Sequence, residues 1–466
     1  MLRSIRLGHA TNSSSAHSII FHRGADTRVE KHLPDTHLAD IDEYSRDKYS
    51  FTDPYKKAVL LLRDRASFNL SNHNLLEVRN VLDRYDISRV LDEDHSNLPL
   101  EQVFHADFTG AKNAGIGFAD WLDFLLSPEI TLYGYDDNYG NPGRDLVSDG
   151  IAIDITRDLS WKKDGDAIIA YAPSRGTKLR WSRTPYEKAS TPELVDVKIT
   201  DYCGYGCSFC YQGSTKAGQH APLERIEGIF DQLADMRVFE VAIGGGEPAH
   251  HPQFAEIIEA ATARCLTFNF TAFGLDWAAN DRVMAAMKQN HGNGIGLSVH
   301  SRRDIVKVVR AEERLREKGI YGTQVMGQTV IGATPMTTIE ATLDACVGAG
   351  VPLLLLGFKE TGRGVGYSKA RASDTAVRRL LQKARSATQD SKKRGTPFTL
   401  SVDTAFLDAY GHILDEMDVP HDLRTSPEGK FSMYVDAVNN TCGPSSYCKP
   451  SLMEPVGDIR QQFSGY

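Results

Sequence analysis

The chain has 466 residues, with 61 Asp and Glu against 53 Lys and Arg and a formal net charge of −8 at pH 7. That length exceeds the usual single domain, so two or three are expected, and the acidic balance argues against a surface built for nucleic acid. There is no run of about 18 apolar residues to span a membrane. The opening Met1-Leu-Arg-Ser-Ile-Arg6 lacks the hydrophobic core of a secretory signal, and the seven cysteines fit a reducing cytoplasm better than a disulfide scaffold, so a cytoplasmic protein is expected.

Residues 1–185 include Leu7-Gly-His-Ala-Thr-Asn-Ser-Ser-Ser-Ala-His-Ser-Ile-Ile-Phe21, a Ser-rich turn entering an apolar, β-like run. His9 and His17 flank Ser13 to Ser15, an arrangement that a side-chain-capped turn explains better than a nucleophile or metal site. Helical patterns follow at 55–65 and 73–84, then aromatic and Gly-rich pieces over 121–142. The position of this segment, ahead of the motifs below, makes it an α+β accessory or substrate-recognition domain.

From Val195 the pattern changes. Val195-Asp-Val-Lys-Ile-Thr200 alternates as a strand does and leads into Cys203-Gly-Tyr-Gly-Cys207-Ser-Phe-Cys210. Three thiolates at this spacing, with no fourth nearby, can hold three corners of an iron-sulfur cube and leave one iron open. A structural zinc site would need a fourth ligand. Next come a helix over 223–233, with Leu223, Ile226, Ile229, Phe230 and Leu233 at helical spacing, and a strand Phe239–Ile243 that runs into Gly244-Gly-Gly-Glu247-Pro248.

Alternation continues through helix 253–264, strand 265–271, helix 280–288, strand 295–299, helix 304–318, strand 323–331, helix 338–346 and strand 352–357. If the segment after Lys359 closes the last unit, six strand-helix units result, predicting a parallel sheet with right-handed crossovers and hence an α/β, partial (β/α)6 barrel over 186–397.

Together, the CxxxCxxC loop after the first of these strands and the GGE turn after the second resemble the radical S-adenosylmethionine (radical SAM) superfamily. The resemblance implies a 4Fe-4S cluster on Cys203, Cys207 and Cys210, and a methionine moiety bound by Gly244, Gly245, Gly246 and Glu247. The glycines would let the backbone approach the ligand without Cβ clashes. Phe209 matches the motif's aromatic and would pack near the adenine; for Phe209 and Tyr211 ordinary packing is an equal explanation. Ser298, in Leu297-Ser-Val-His300, matches a polar contact to the cofactor.

Other strand ends carry weaker signals. His300 reads more readily as a solvated or core histidine than as a catalytic one. Gln324 and Gln328 share a parity, and packing or solubility explains them better than a site does. Lys359 and Arg363 would suit a carboxylate or phosphate, and a solvated loop accounts for them equally well. No acid, base or radical-quenching residue is identified.

Residues 398–466 hold a strand at 398–402, Phe431-Ser-Met-Tyr-Val-Asp-Ala437, and Cys442 and Cys448. They are similar to the SPASM/Twitch extension of radical SAM proteins, with a departure: two thiols where an auxiliary cluster takes about four. A degenerate tail is favoured over a second cluster, and Cys265 and Cys346 are expected to be buried and structural.

The implied function is reductive cleavage of S-adenosylmethionine to a 5′-deoxyadenosyl radical that abstracts hydrogen from an unidentified substrate, with a reductant such as flavodoxin or ferredoxin. A peptide or protein is the leading substrate expectation. The alternatives are a small anionic metabolite or nucleotide gripped by Lys359 and Arg363, and a non-catalytic metal-binding interaction protein.

Overall fold

A computed structural model describes residues 2–6, 17–22, 49–51, 53–62, 72–91, 108–127, 131–134, 152–154, 159–173, 176–290, 293–367, 372–394, 398–419, 421, 424 and 428–466. The chain forms two compact units, one of Met1–Ile5, Arg28–Ala172 and Lys178–Tyr186, the other of Arg6–Thr27, Pro173–Thr177 and Glu187–Tyr466. Residues 6–27 and 173–177, which precede the expected boundary at 185, group with the second unit. His9 and the serines at 13–15 lie outside the described residues.

In chain order the early elements are β1 (Leu2–Arg6), β2 (His17–His22), β3 (Tyr49–Phe51), α1 (Pro54–Leu62), α2 (Asn72–Asp83), α3 (Thr109–Asn113), α4 (Phe118–Leu126), β4 (Thr131–Gly134), β5 (Ala152–Asp154), β6 (Ser160–Asp164), β7 (Ala167–Ala172) and β8 (Thr177–Trp181). All but β2 build the first unit, with sheets ordered β1-β8-β7-β6 and β3-β4-β5. Its core is aromatic: the Phe124 ring meets Trp161 and Trp181 edge-on at 5.5 and 6.2 Å.

The buried Asp123 of α4 collects Arg183 Nη2 at 2.7 Å, Arg183 Nε at 3.0 Å and the Tyr85 hydroxyl at 2.9 Å, and also pairs with Arg84. Charged hydrogen bonds contribute more than neutral ones. Asp123→Ala is expected to destabilise this unit by about 2 kcal/mol, read as a lower first transition in calorimetry with the second unchanged.

The second unit continues with β9 (Leu194–Thr200), α5 (Leu223–Asp235), β10 (Glu240–Gly245), α6 (Phe254–Ala263), β11 (Thr267–Ala272), α7 (Asp276–Ala279), α8 (Asp281–Gln289), β12 (Asn293–Ser298), α9 (Ile305–Glu317), β13 (Thr323–Val330), α10 (Met336–Ala349), β14 (Leu353–Leu356), α11 (Asp374–Arg394), β15 (Thr399–Asp403), α12 (Thr404–Glu416), β16 (Ser432–Asp436), β17 (Thr441–Gly443), β18 (Glu454–Pro455) and α13 (Ile459–Gly465). Strands β9 to β14 are sequential parallel neighbours, each followed by a helix. This is the expected partial (β/α)6 barrel, with α11 closing the last unit.

Local chemistry explains the elements. Ile226, Ile229, Phe230 and Leu233 form the buried stripe of α5. The Asn280 side chain caps α8 by accepting from Arg282 N and Val283 N, and Gly350, at φ 67°, ends α10 in the left-handed region. β9 is buried throughout, as a parallel strand covered on both faces must be.

The sheet is larger than the barrel. β15 pairs in parallel with β14, β2 adds antiparallel to β15, and β16 adds in parallel on the free side of β9, followed by β17 and β18. The expected boundary at 397 thus falls between strands of one continuous sheet. An ionic tie secures β16: Lys198 Nζ lies 2.9 Å from Asp436 and 2.6 Å from Asp201. Burial works against that ammonium, but the two carboxylates outweigh it and hold the Lys198 pKa above its ordinary value. Among the described residues no helix is long and apolar enough to cross a membrane.

Candidate active site

The strands β9 to β14 open at their C-terminal ends into one cavity, where parallel barrels place their chemistry. Cys203, Cys207 and Cys210 line it together with Gly244, Gly245, Gly246, Glu247, Phe209 and Ser298, so every site residue expected from the sequence faces the same space.

The cysteine loop and the Gly-rich turn are built as one piece. Gly246 N donates to Thr200 O at 2.8 Å, Glu247 N to Tyr202 O at 2.9 Å, and Cys203 N to Thr215 O at 2.9 Å. A Cβ on Gly245, whose φ is +121°, would lie 2.1 Å from Thr200 O; one on Gly246 would lie 2.1 Å from Tyr202 O and 3.0 Å from Cys203 Cβ. This adds a structural reason to the expected one: at Gly245 and Gly246 the room a side chain would take is filled by the end of β9 and the start of the cysteine loop, so the turn bears on the position of the thiols as well as facing the cavity.

Burial raises the Cys203 and Cys207 thiols above their ordinary pKa, and neighbouring negative charge adds to this, from Glu247 at Cys203 and from Cys210 at Cys207. Thiolates at these positions therefore call for a bound cation. Among the described residues no three His, Cys, Asp or Glu side chains converge on a single ion. A cube, whose corners are separate irons, does not require such convergence. Glu247 is 2 % exposed, and its Oε2 accepts from Phe273 N at 2.9 Å. Burial pushes its pKa up to about 8, a penalty that a ligand ammonium would relieve.

Aromatic rings form a wall. Phe209 packs edge-on against His300 at 5.6 Å and Tyr367 at 6.1 Å, and Phe273 lies 5.6 Å from His300 and 4.2 Å from Tyr205. His300 lines the cavity. Burial lowers its pKa, and among the described residues its Nδ1 has no hydrogen-bond partner. Gln328 also lines the cavity whereas Gln324 does not. Phe273 and Tyr205 were missed; the position of Phe273, one residue past β11, is the signal that would have found it.

The two cations weighed together have separate places. Lys359 is buried and lines the cavity, its Nζ 4.4 Å from the Tyr211 ring, 4.9 Å from the Tyr447 ring and 3.3 Å from Ser446 Oγ. Arg363 turns instead to the cysteine loop, with Nε 2.9 Å from Cys207 O and Nη1 2.9 Å from Ser214 O.

The remaining thiols do not gather. Cys442 receives the Tyr466 hydroxyl at 3.5 Å, whereas Cys448 Sγ lies 3.2 Å from where a Cβ on Gly443 would stand. Among the described residues no three His, Cys, Asp or Glu side chains come together there to hold an ion. Cys346 is buried as expected, but Cys265 is exposed, because it occupies a left-handed turn (φ 57°) before β11 and not the strand.

A parallel barrel with three cavity-facing thiols and a Gly-Gly-Glu turn at its strand ends defines a cofactor-dependent barrel enzyme. Residues 197–321 match the family model described as the Radical SAM superfamily. Members use a 4Fe-4S cluster and S-adenosylmethionine. The residues present fit both groups: three thiols that could ligate iron share one cavity wall, and the buried Glu247 carboxylate in the same cavity suits an ammonium.

The chain is 25% identical over 183 residues to the mycofactocin maturase MftC of Mycolicibacterium smegmatis, covering 37% of this chain and 46% of that protein. It is 29% identical over 86 residues to the PqqA peptide cyclase of Rhizobium meliloti, covering 18% and 23%. It thus spans less than half the length of these curated relatives. Among solved structures, Streptococcus suis SuiB bound to S-adenosylmethionine aligns at 17% identity over 56% of this chain and 61% of that one, with a TM-score of 0.42.

Proposed function

We propose that this chain is a radical SAM enzyme acting on a peptide, with Cys203, Cys207 and Cys210 as cluster ligands and Gly244, Gly245, Gly246, Glu247, Ser298 and Phe209 as contacts to S-adenosylmethionine. The observation that carries this reading is the fusion of the cysteine loop and the Gly-Gly-Glu turn into one hydrogen-bonded wall of a single cavity. When bound, the cluster and the sulfonium supply a low-potential electron and a 5′-deoxyadenosyl radical for hydrogen abstraction. Glu247 accepts from the ammonium of the methionine moiety. Phe209 and His300 offer an apolar wall for a flat base, and the Ser298 hydroxyl supplies a polar contact. A small flavodoxin- or ferredoxin-like protein is the electron donor.

The peptide class is supported by the name of one relative, the PqqA peptide cyclase, and by the strand and cysteine tail after residue 430. A smaller anionic substrate retains one supporting observation, the presence of Lys359 in the cavity lining; Arg363 no longer supports it. The function is tested by titrating S-adenosylmethionine into anaerobically reconstituted, dithionite-reduced protein and recording the electron paramagnetic resonance spectrum. The cluster signal should change shape on addition, and Glu247→Ala should need at least tenfold more ligand for the same change. A spectrum indifferent to the ligand contradicts an open iron in this cavity.

A further inference from the structure

The segment after β14 reaches across to the loop after β9 and holds it at several points. Arg363 N donates to Cys210 O at 2.9 Å, its Nε to Cys207 O at 2.9 Å and its Nη1 to Ser214 O at 2.9 Å, while Thr361 Oγ1 donates to Tyr211 O at 3.1 Å. Gly362 makes the approach possible: at φ +56°, a Cβ there would stand 2.3 Å from Tyr211 O. These bonds satisfy carbonyls of a loop that has little secondary structure of its own to do so. The guanidinium is part-buried, and among the described residues it forms no ion pair with a carboxylate, so its charge is not cancelled locally. Its Nε stands 2.9 Å from Cys207 O, which sets the cation beside that residue.

We infer that Arg363 is a positioning residue for the cysteine loop: it locks the loop's shape and sets a fixed positive charge beside Cys207, raising the reduction potential of a cluster bound there. The inference rests on the cluster assignment proposed above. A reduced cluster carries one more negative charge than the oxidised one, so a nearby fixed cation stabilises the reduced state.

Two variants separate the parts of the inference. Arg363→Gln removes the charge and the fork; Arg363→Lys keeps the charge and loses the fork. In an anaerobic redox titration of the reconstituted full chain, Arg363→Gln should lower the reduced-to-oxidised ratio at a fixed potential by about tenfold, which equals about 59 mV for one electron. Arg363→Lys should stay within about threefold of wild type. In the cluster-free full chain, both variants should speed amide hydrogen exchange across residues 203–214 by about tenfold, with exchange in α5 unchanged. A wild-type midpoint in Arg363→Gln overturns the electrostatic role, and wild-type exchange in both variants overturns the positioning role. If Arg363→Gln does not fold, Arg363→Lys still decides: faster exchange with a near-wild-type midpoint supports the inference, and unchanged exchange overturns it. Failure of the wild type to take up a cluster would instead strike the cluster assignment, and the exchange comparison would still test the hold on the loop.

Discussion

Replacing Cys203, Cys207 and Cys210 together by alanine is expected to take anaerobically reconstituted protein from about four iron and four sulfide per chain to nearly none. The three thiols share one cavity wall, whereas Cys442 on β17 and Cys448 beyond it are not among the residues lining it, two thiols where a second cluster takes about four. A wild-type count near eight would contradict a single cluster. Zinc retained in place of iron after anaerobic reconstitution would contradict the cluster assignment as a whole.

The second large effect concerns Gly246. A Cβ there would stand 2.1 Å from Tyr202 O and 3.0 Å from Cys203 Cβ, so even Gly246→Ala must push the cysteine loop away or break the Glu247 N to Tyr202 O bond. The variant is expected to lose most of its iron as well as S-adenosylmethionine binding, the thiols being displaced with the loop. Gly204 provides the control, because a Cβ there meets nothing within 4 Å; Gly204→Ala should keep wild-type iron. Full iron in Gly246→Ala, with only cofactor binding weakened, would return the glycine to a role toward the ligand alone.

The cluster thiols and the Gly-Gly-Glu turn were legible in the sequence because each is contiguous and its spacing is the signal. The alternating strands and helices were legible for the same reason: periods of 2 and 3.6 residues appear in any short window. What stayed hidden depends on pairings far apart in the chain. Nothing local marks Arg363 as a partner of Cys207, 156 residues away, and a solvated loop explained it equally well. The placement of β16 beside β9 and of β2 beside β15 is likewise set by edge pairing, which periodicity does not encode. The setting of His300 was hidden because a histidine two residues past an inward serine has no distinguishing pattern; the rings of Phe209 and Phe273 around it give it a place. The structural part of the role of Gly245 and Gly246 stayed hidden, because a sequence does not say which backbone fills the space a side chain would have taken.

The most direct measurement is the release of 5′-deoxyadenosine. Iron-loaded protein, incubated anaerobically with dithionite and S-adenosylmethionine, should form 5′-deoxyadenosine and methionine, slowly without a peptide and faster with the correct one. The Cys203→Ala, Cys207→Ala, Cys210→Ala protein should form neither. If cluster-replete wild-type protein binds S-adenosylmethionine yet releases no 5′-deoxyadenosine with any reductant or peptide tried, the radical-generating function assigned to this cavity is contradicted.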